Sequence, residues 1–455
     1  MKEFSIKALS RIISAGPCAD SGVFGGISTD SRTVKSGDCF FAIKGENFDG
    51  HDYVADAFAK GACCAIVDRS AGGKDFSGGE ILKVEDTIQA LGMFAAEYRR
   101  LMGFKVIAIT GSVGKTTTRQ IIYNVLSSHY RTYQSPKNFN NNIGLPLALF
   151  GADPADEVIV VELGSNHPGE IAYLTRIAQP DVAVVTNVHP AHLAGFGDME
   201  TVTAEKLSIA EGLRQGGTFV INGDIADLVS AAKAKGLRFT TFGRSDGCDA
   251  RAENISYGDL SSCFTVDGVE IDLPLPGPGN IDNVLAAWAV CRTVGLTGAD
   301  FAKAVRMLSA VSMRAEVLQV GTLTVINDCY NANPASMENA LRILSNLGAS
   351  RKGRLVFVCG DMNELGPQSE SFHAQLGEIA AKGGVGLLLA VGRFSGIVAE
   401  SARKNAGLQT ESFKDTISAC NNLAKFIKEY DIVLVKCSRA ARLESVVEKL
   451  KELFD

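Results

Sequence analysis

The residues best suited to chemistry are Thr110-Gly111-Ser112-Val113-Gly114-Lys115-Thr116-Thr117-Thr118. An apolar run, Lys105 to Ile109, precedes them, and Ile121, Ile122, Val125 and Leu126 follow at helical spacing. Strand, glycine turn, Lys-Thr and helix form the arrangement that holds nucleotide phosphates. Glycine lets backbone N–H groups approach phosphate oxygens, and the helix N-terminus adds partial positive charge. Lys115 can then reach the β- and γ-phosphates, and the Thr116 hydroxyl can bind Mg²⁺. The general pattern has a Gly five residues before Gly114, where Ile109 stands, so this loop is a shortened variant.

Two more strand ends carry candidate ligands. In Val158-Ile159-Val160-Val161-Glu162-Leu163-Gly164, Glu162 sits where open parallel sheets present their ligands. A carboxylate there suits Mg²⁺, a hard ion that takes oxygen ligands; a solvent-facing Glu fits the same pattern. In Asn187-Val188-His189-Pro190-Ala191-His192-Leu193, the histidine pair raises zinc, but no third soft ligand stands nearby. Phosphate chemistry favours Mg²⁺, and the expectation is one functional histidine and one that packs. Lys206, by itself, reads as an ordinary helix-surface lysine.

These side chains need a scaffold, and the pattern of the chain supplies three zones. Up to about Lys83, short extended runs (Cys39 to Ile43, Cys64 to Val67) alternate with turn-rich stretches such as Ser70 to Gly79, a small α/β domain. The second zone opens with a helix over Asp86 to Met102, capped by Asp86, with Ile88, Leu91, Ala95, Tyr98 and Leu101 on its apolar face. Strands at Lys105–Ile109, Glu157–Val161, Asp181–Val185 and Thr218–Ile221 lack strict alternation, which predicts a parallel sheet buried on both faces. A loop at Pro274–Gly279 and a helix at Asn283–Thr293 close this zone. From about Met313, strands at Leu323–Ile326, Leu355–Val358, Leu387–Val391 and Ile432–Val435 alternate with helices, ending with Arg442–Phe454. The expected fold is α/β in three domains: a small N-terminal one (1–84), a central P-loop-type parallel-sheet domain (85–312) and a C-terminal Rossmann-like one (313–455).

Composition excludes several classes. Across 455 residues the formal net charge is −6, which speaks against sequence-independent nucleic-acid binding. The 11 cysteines include no CxxC pair, so neither a disulfide framework nor a zinc ribbon is expected. No apolar run reaches the ~20 residues of a membrane span, and Lys2, Glu3, Lys7 and Arg11 interrupt any secretory signal. A cytoplasmic enzyme is expected, by default monomeric.

Several motifs in order resemble one family. They are the shortened loop, Asn138-Phe139-Asn140-Asn141-Asn142-Ile143-Gly144-Leu145-Pro146, Glu162 to Asn166, His189 to Leu193 and Lys206; Asn280, Asn283, Arg314 and Asp328 follow. This order resembles the Mur ligases, ATP-dependent amide-forming enzymes of peptidoglycan precursor synthesis. Asp30-Ser31-Arg32 with Phe48-Asp49-Gly50-His51, Asn327 to Pro334, and Gly360-Asp361-Met362-Asn363-Glu364-Leu365-Gly366 are similar to the branch that adds D-alanyl-D-alanine to UDP-MurNAc-tripeptide. The Asn-Pro-Arg signature of the diaminopimelate-adding branch is absent; Asp361 to Glu364 stands there.

The resemblance implies that Gly111, Ser112, Val113, Gly114, Lys115, Thr116 and Thr117 cradle the ATP phosphates. Asn142, Asn280, Asn283, Arg314 and Asp328 would contact ATP. Thr116, Glu162, His192 and Lys206, the last carbamylated, would serve two Mg²⁺ ions; Lys115, Glu162, His192 and Lys206 would be catalytic. Ser31, Arg32, Asp49 and His51 would face the uridine diphosphate, although Ser31 and Arg32 alone read as a polar turn. Tyr330, Asn331 and Asn333 are candidates for D-alanyl-D-alanine, and Lys436, Ser438 and Arg439 match a family turn near the cleft. The implied chemistry is an acyl phosphate made from ATP and attacked by the amine, with the third domain closing over it. The competing readings are another ATP-dependent peptide ligase (diaminopimelate-adding or folylpolyglutamate type), a kinase, or a P-loop nucleotide switch with no synthetic chemistry.

Overall fold

The computed structural model describes residues 1–18, 22–71, 76, 78–404 and 407–455; part of the Ser70 to Gly79 loop lies outside them. In the first unit, strands Gly26–Ser28, Asp38–Phe41, Cys64–Asp68 and Glu80–Val84 form a parallel sheet in chain order. A short antiparallel pair, Phe4–Ser5 with Val23–Phe24, and helix Ile6–Ile12 stand beside it. They share an apolar core with the central unit. Phe94, on helix Thr87–Met102, is the hinge of that packing: its ring stacks on Phe150 at 5.0 Å and meets the edge of Phe4 at 5.3 Å. Asp86 caps this helix as expected, accepting from the N–H groups of Ile88 and Gln89.

The central sheet has seven strands, all parallel. Strand Lys105–Thr110 lies between Val158–Glu162 and Val182–Val185. The carboxyl ends of these neighbours therefore deliver the glycine loop, Glu162 and the His189–His192 segment to one rim, on either side of a change in strand order. Burial on both faces accounts for the unbroken apolar runs: every residue of Val158–Glu162 and Val182–Val185 is buried.

Three features depart from the sequence expectations. The closing helix begins at Pro278, not Asn283, because Gly277 (φ 86°) ends the preceding chain and Pro278 fits the first helical turn. A three-stranded antiparallel sheet, Glu253–Tyr257, Ser262–Val266 and Val269–Leu273, was not expected. Its signal was the Asp267-Gly268 turn, both residues at positive φ, beside a strand that alternates buried and half-buried positions. The last helix runs over Glu444–Phe454, because Arg442 takes a left-handed conformation (φ 53°).

The C-terminal sheet has six strands and is parallel except at one edge, where Glu316–Val320 runs antiparallel to Leu323–Asp328. No helix among the described residues is long and apolar enough to cross a membrane. No disulfide joins any of the 11 cysteines among the described residues.

One buried cation locks the back of the central sheet. Arg99, 1% exposed, donates to the carbonyls of Ala178 and Gln179 and, at 2.7 Å, to Asp181, whose carboxylate also accepts from Val106 N–H. Removing one partner of such a pair leaves the other groups unsatisfied. Arg99→Ala is expected to destabilise the protein by about 3 kcal/mol, read as a lowered urea midpoint by circular dichroism.

Candidate active site

The loop is held open by its neighbours. Gly111 (φ 144°) and Gly114 (φ 85°) adopt conformations that favour glycine, and a Cβ on either would collide, with Thr186 Oγ1 and Asn283 Oδ1 respectively. Asn187 ties the loop to the next strand end: its Oδ1 accepts from Val113 N–H at 2.8 Å and its Nδ2 donates to Val113 O at 3.0 Å. Sequence reasoning gave Asn187 no role. Gly114 opens helix Lys115–Leu126, whose first turn supplies Lys115 and Thr116. Lys115 Nζ donates to Gly111 O at 2.6 Å. Burial lowers its pKa to about 8, with Arg314 adding repulsion and Glu162 opposing the shift.

Thr116 is the junction of the site. Its Oγ1 donates to Glu162 Oε2 at 3.2 Å and accepts from Arg314 Nη2 at 2.8 Å. Glu162 is buried, so the reading of a solvent-facing Glu is corrected. Its other oxygen, Oε1, meets Arg119 Nη1 at 3.0 Å. Arg119 is itself buried and anchored by Gln134, Ser135 and the carbonyl of Lys137; it was missed because its motif signal is no more than a helix arginine. A hydroxyl and a carboxylate oxygen side by side are hard ligands, and this pair would suit Mg²⁺, an ion that takes oxygen ligands.

Lys206 is 3% exposed, which corrects the reading of a surface lysine. Its Nζ donates to Ser165 Oγ at 2.7 Å and lies 5.5 Å from the Phe196 ring centre. Burial, joined by repulsion from Lys115, lowers its pKa to about 7. His192 (φ 54°) turns its Nδ1 onto the carboxylate of Glu364. His189 instead offers its backbone, its N–H and carbonyl both bonding the Ser112 hydroxyl.

One cavity of about 1040 Å³ unites most candidates. Ser112 to Thr117, Asn142, Glu162, His192, Asn280 and Asn283 line it from the central unit. Arg314, Asp328, Tyr330, Asn331 and Asn333 line it from the C-terminal unit, with Lys436, Ser438 and Arg439. Tyr330 stacks under Arg314, whose guanidinium lies 4.1 Å from the ring centre. Asn333 caps helix Pro334–Ser350, its Oδ1 accepting from Ser336 N–H, so that side chain is already engaged. Lys436, 2% exposed at its side chain, bonds Asp328 at 2.6 Å and the carbonyl of Asn331 at 2.9 Å.

Ser31, Arg32, Asp49 and His51 do not line this cavity; they belong to the first unit. Arg32 forks onto Asp30, and Lys60 donates to the Ser31 carbonyl. His51 is buried with both ring nitrogens engaged, Nδ1 with Asp49 at 2.6 Å and Nε2 accepting from Asp68 N–H at 2.9 Å. It holds the fold of that turn and has no nitrogen left for a nucleotide. Among the described residues, one group of three possible metal ligands stands out, Cys263, Glu270 and Asp272, and it lies on the antiparallel sheet, not in the cleft.

A phosphate loop on a parallel sheet, an adjoining acidic strand end and an arginine brought from a further domain define an ATP-using enzyme with a divided cleft. Family models agree along the chain: "Mur ligase family, catalytic domain" over residues 23–99, "Mur ligase middle domain" over 109–291 and "Mur ligase, glutamate ligase domain" over 313–439. The chain belongs to the Mur ligase family. It is 34% identical over 445 residues to the UDP-N-acetylmuramoyl-tripeptide–D-alanyl-D-alanine ligase of Bacillus subtilis, covering 96% of this chain and 95% of that one. MurF from Acinetobacter baumannii superposes with a TM-score of 0.90 at 30% identity, over 99% of each chain. The MurF ligase from Thermotoga maritima in complex with ADP gives 0.81 at 30% identity, over 94% of this chain and 97% of that one.

The rim of the cavity also carries Arg244, held by Asp282 at 3.0 Å and by Asp224. Burial lifts the Asp282 carboxyl from 3.8 to about 6, with Arg244 opposing and Asp224 adding to the lift. The folded state thus takes up this proton at a higher pH than the unfolded chain, and that contribution to stability is lost as pH rises through about 6. The thermal midpoint of the wild type relative to Asp282→Asn is expected to fall between about pH 4 and pH 6 and to level off above, as calorimetry across that range would show.

Proposed function

We propose that the chain joins D-alanyl-D-alanine to UDP-MurNAc-tripeptide with cleavage of ATP to ADP and phosphate, in the cytoplasm, as a step of peptidoglycan precursor synthesis. The observation that carries this reading is the divided cleft: Lys115, Thr116 and Glu162 stand on the central sheet, and Arg314 reaches Thr116 from the C-terminal unit.

Joining a carboxylate to an amine requires a better leaving group than oxide, and a phosphoryl group from ATP provides one. The phosphoryl acceptor and ATP are both anions, so the chain must place cations between them. The loop N–H groups and Lys115 hold the β- and γ-phosphates, and Arg314 brings a second positive charge when the C-terminal unit is docked. Thr116 and Glu162, with His192, would hold Mg²⁺, which offsets charge on the transferring phosphoryl group when bound. Arg119 fixes the orientation of Glu162. The amine then attacks the acyl phosphate, a tetrahedral intermediate forms and phosphate departs. Enclosure between the two units keeps water from that acyl phosphate.

Lys206 enters as an amine, not as a ligand. Its pKa of about 7 leaves much of it neutral at physiological pH, the form that adds CO₂. The resulting carbamate would place a carboxylate beside Ser165, giving this side of the site an oxygen ligand for a second Mg²⁺. The uridine nucleotide is assigned to the first unit near Ser31, Arg32 and Asp49, with His51 shaping that turn. Asn142, Asn280, Asn283 and Asp328 are assigned to ATP, and Tyr330 and Asn331 to the D-alanyl-D-alanine side.

Phosphate release should require UDP-MurNAc-tripeptide and D-alanyl-D-alanine together, with a pentapeptide product by mass spectrometry. Release that is equal with neither, one or both would overturn the ligase reading in favour of a nucleotide switch. Intact-mass measurement in bicarbonate is expected to show one CO₂ adduct, lost in Lys206→Met. Its occupancy should decline as pH falls below about 7, because the amine is then protonated.

A further inference from the structure

We propose that Glu364 is a positioning residue for the cation site: from the C-terminal unit it sets the ring of His192, so that docking of that unit orders a site whose ligands all lie in the central one. The proposal rests on the reading of Thr116, Glu162 and His192 as Mg²⁺ ligands.

Two independent contacts define the junction. The Glu364 carboxylate meets His192 Nδ1, and the Glu364 carbonyl accepts from Ala194 N–H at 3.0 Å. A side-chain contact together with a backbone bond two residues away sets the register of the two segments. Both residues are non-glycines at positive φ, 54° for His192 and 65° for Glu364. Such conformations persist where surrounding structure holds them, and paired ones across a domain boundary point to a functional constraint. Gly366 (φ 63°) packs close against Ala194, within 3.4 Å of where its own Cβ would stand, so the approach is tight.

Each partner is rigid on its own side. His192 starts the turn Leu193–Phe196, its carbonyl accepting from Gly195 at 2.9 Å and Phe196 at 3.1 Å. The Glu364 segment is bound to the C-terminal unit: Asn363 N–H donates to Ser438 Oγ at 2.9 Å, and Met362 N–H donates to His373 Nε2 at 2.9 Å. Glu364 is therefore an arm fixed to one unit and reaching a ring fixed to the other.

The chemistry of imidazole gives the contact its purpose. A neutral ring that donates its Nδ1–H to a carboxylate turns the Nε2 lone pair outward and makes it more basic, the usual support for a metal-bound histidine. Without Glu364 the ring is free to rotate or to exchange tautomers. By linkage, if docking raises cation affinity, cation binding must favour docking by the same factor.

The test uses the full chain with a non-hydrolysable ATP analogue and Mn²⁺ as a paramagnetic probe, followed by electron paramagnetic resonance. Glu364→Gln is expected to weaken Mn²⁺ binding roughly ten- to a hundredfold, while analogue affinity without metal and the thermal midpoint stay near wild type. Glu364→Asp, which keeps the charge and shortens the reach, should fall between. Unchanged Mn²⁺ affinity in both variants, alongside its loss in Glu162→Gln, would overturn the role of Glu364 and leave the cation site intact. Unchanged affinity in Glu162→Gln as well would overturn the cation site itself.

Discussion

The Thr116 hydroxyl stands where two domains meet, and the geometry of the cleft depends on it. Three separate pieces of structure must be correct before that oxygen can lie 3.2 Å from Glu162 and 2.8 Å from Arg314. The glycine conformations at 111 and 114 turn the chain so that helix Lys115–Leu126 starts at the rim. Parallel pairing of Lys105–Thr110 with Val158–Glu162 puts the carboxylate one strand away. The C-terminal unit must then be docked for Arg314 to arrive. A hydroxyl can both donate and accept, which is why one atom can serve a carboxylate and a guanidinium at once.

Charge explains the rest of the cleft. Lys115 and Arg119 stand beside one buried carboxylate, Glu162, with Arg314 on Thr116 next to it and Lys206 close enough to Lys115 to feel its repulsion, and burial takes the two lysines down to about 8 and about 7. An excess of cationic groups in a poorly hydrated cavity is unfavourable until anions enter. A nucleotide triphosphate and a carboxylate are such anions, so this cluster of positive charge favours them. Lys115 Nζ donates to the Gly111 carbonyl, a bond that a phosphate oxygen can replace.

The motifs that announce phosphate chemistry were legible because they are local. A glycine turn between an apolar strand and an amphipathic helix occupies one short stretch, and its backbone geometry follows from the residues within it. The parallel sheets were legible too, since strands buried on both faces read as unbroken apolar runs. Less visible were the antiparallel sheet at 253–273, where only the Asp267-Gly268 turn speaks, and the edge strand Glu316–Val320, whose half-buried residues carry a weak pattern. Lys206 was read wrongly from its own segment, for burial is decided by what packs over a helix and not by the residues beside it in sequence.

The sequence by itself determined the chemistry on offer: a phosphate loop, an acidic strand end, a histidine turn, and a family order running through all three zones. Only the tertiary structure decided how those groups are paired. It set Arg119 on Glu162, Glu364 on His192, Lys436 on Asp328 and Arg314 on Thr116, contacts between residues 43 to 198 positions apart in the chain. It also turned His51 inward, with both ring nitrogens engaged inside the first unit. Short-range steric preferences write turns and helices into a local stretch of chain, whereas the pairing of charges follows from which surfaces meet when separate units dock, and no local pattern encodes that.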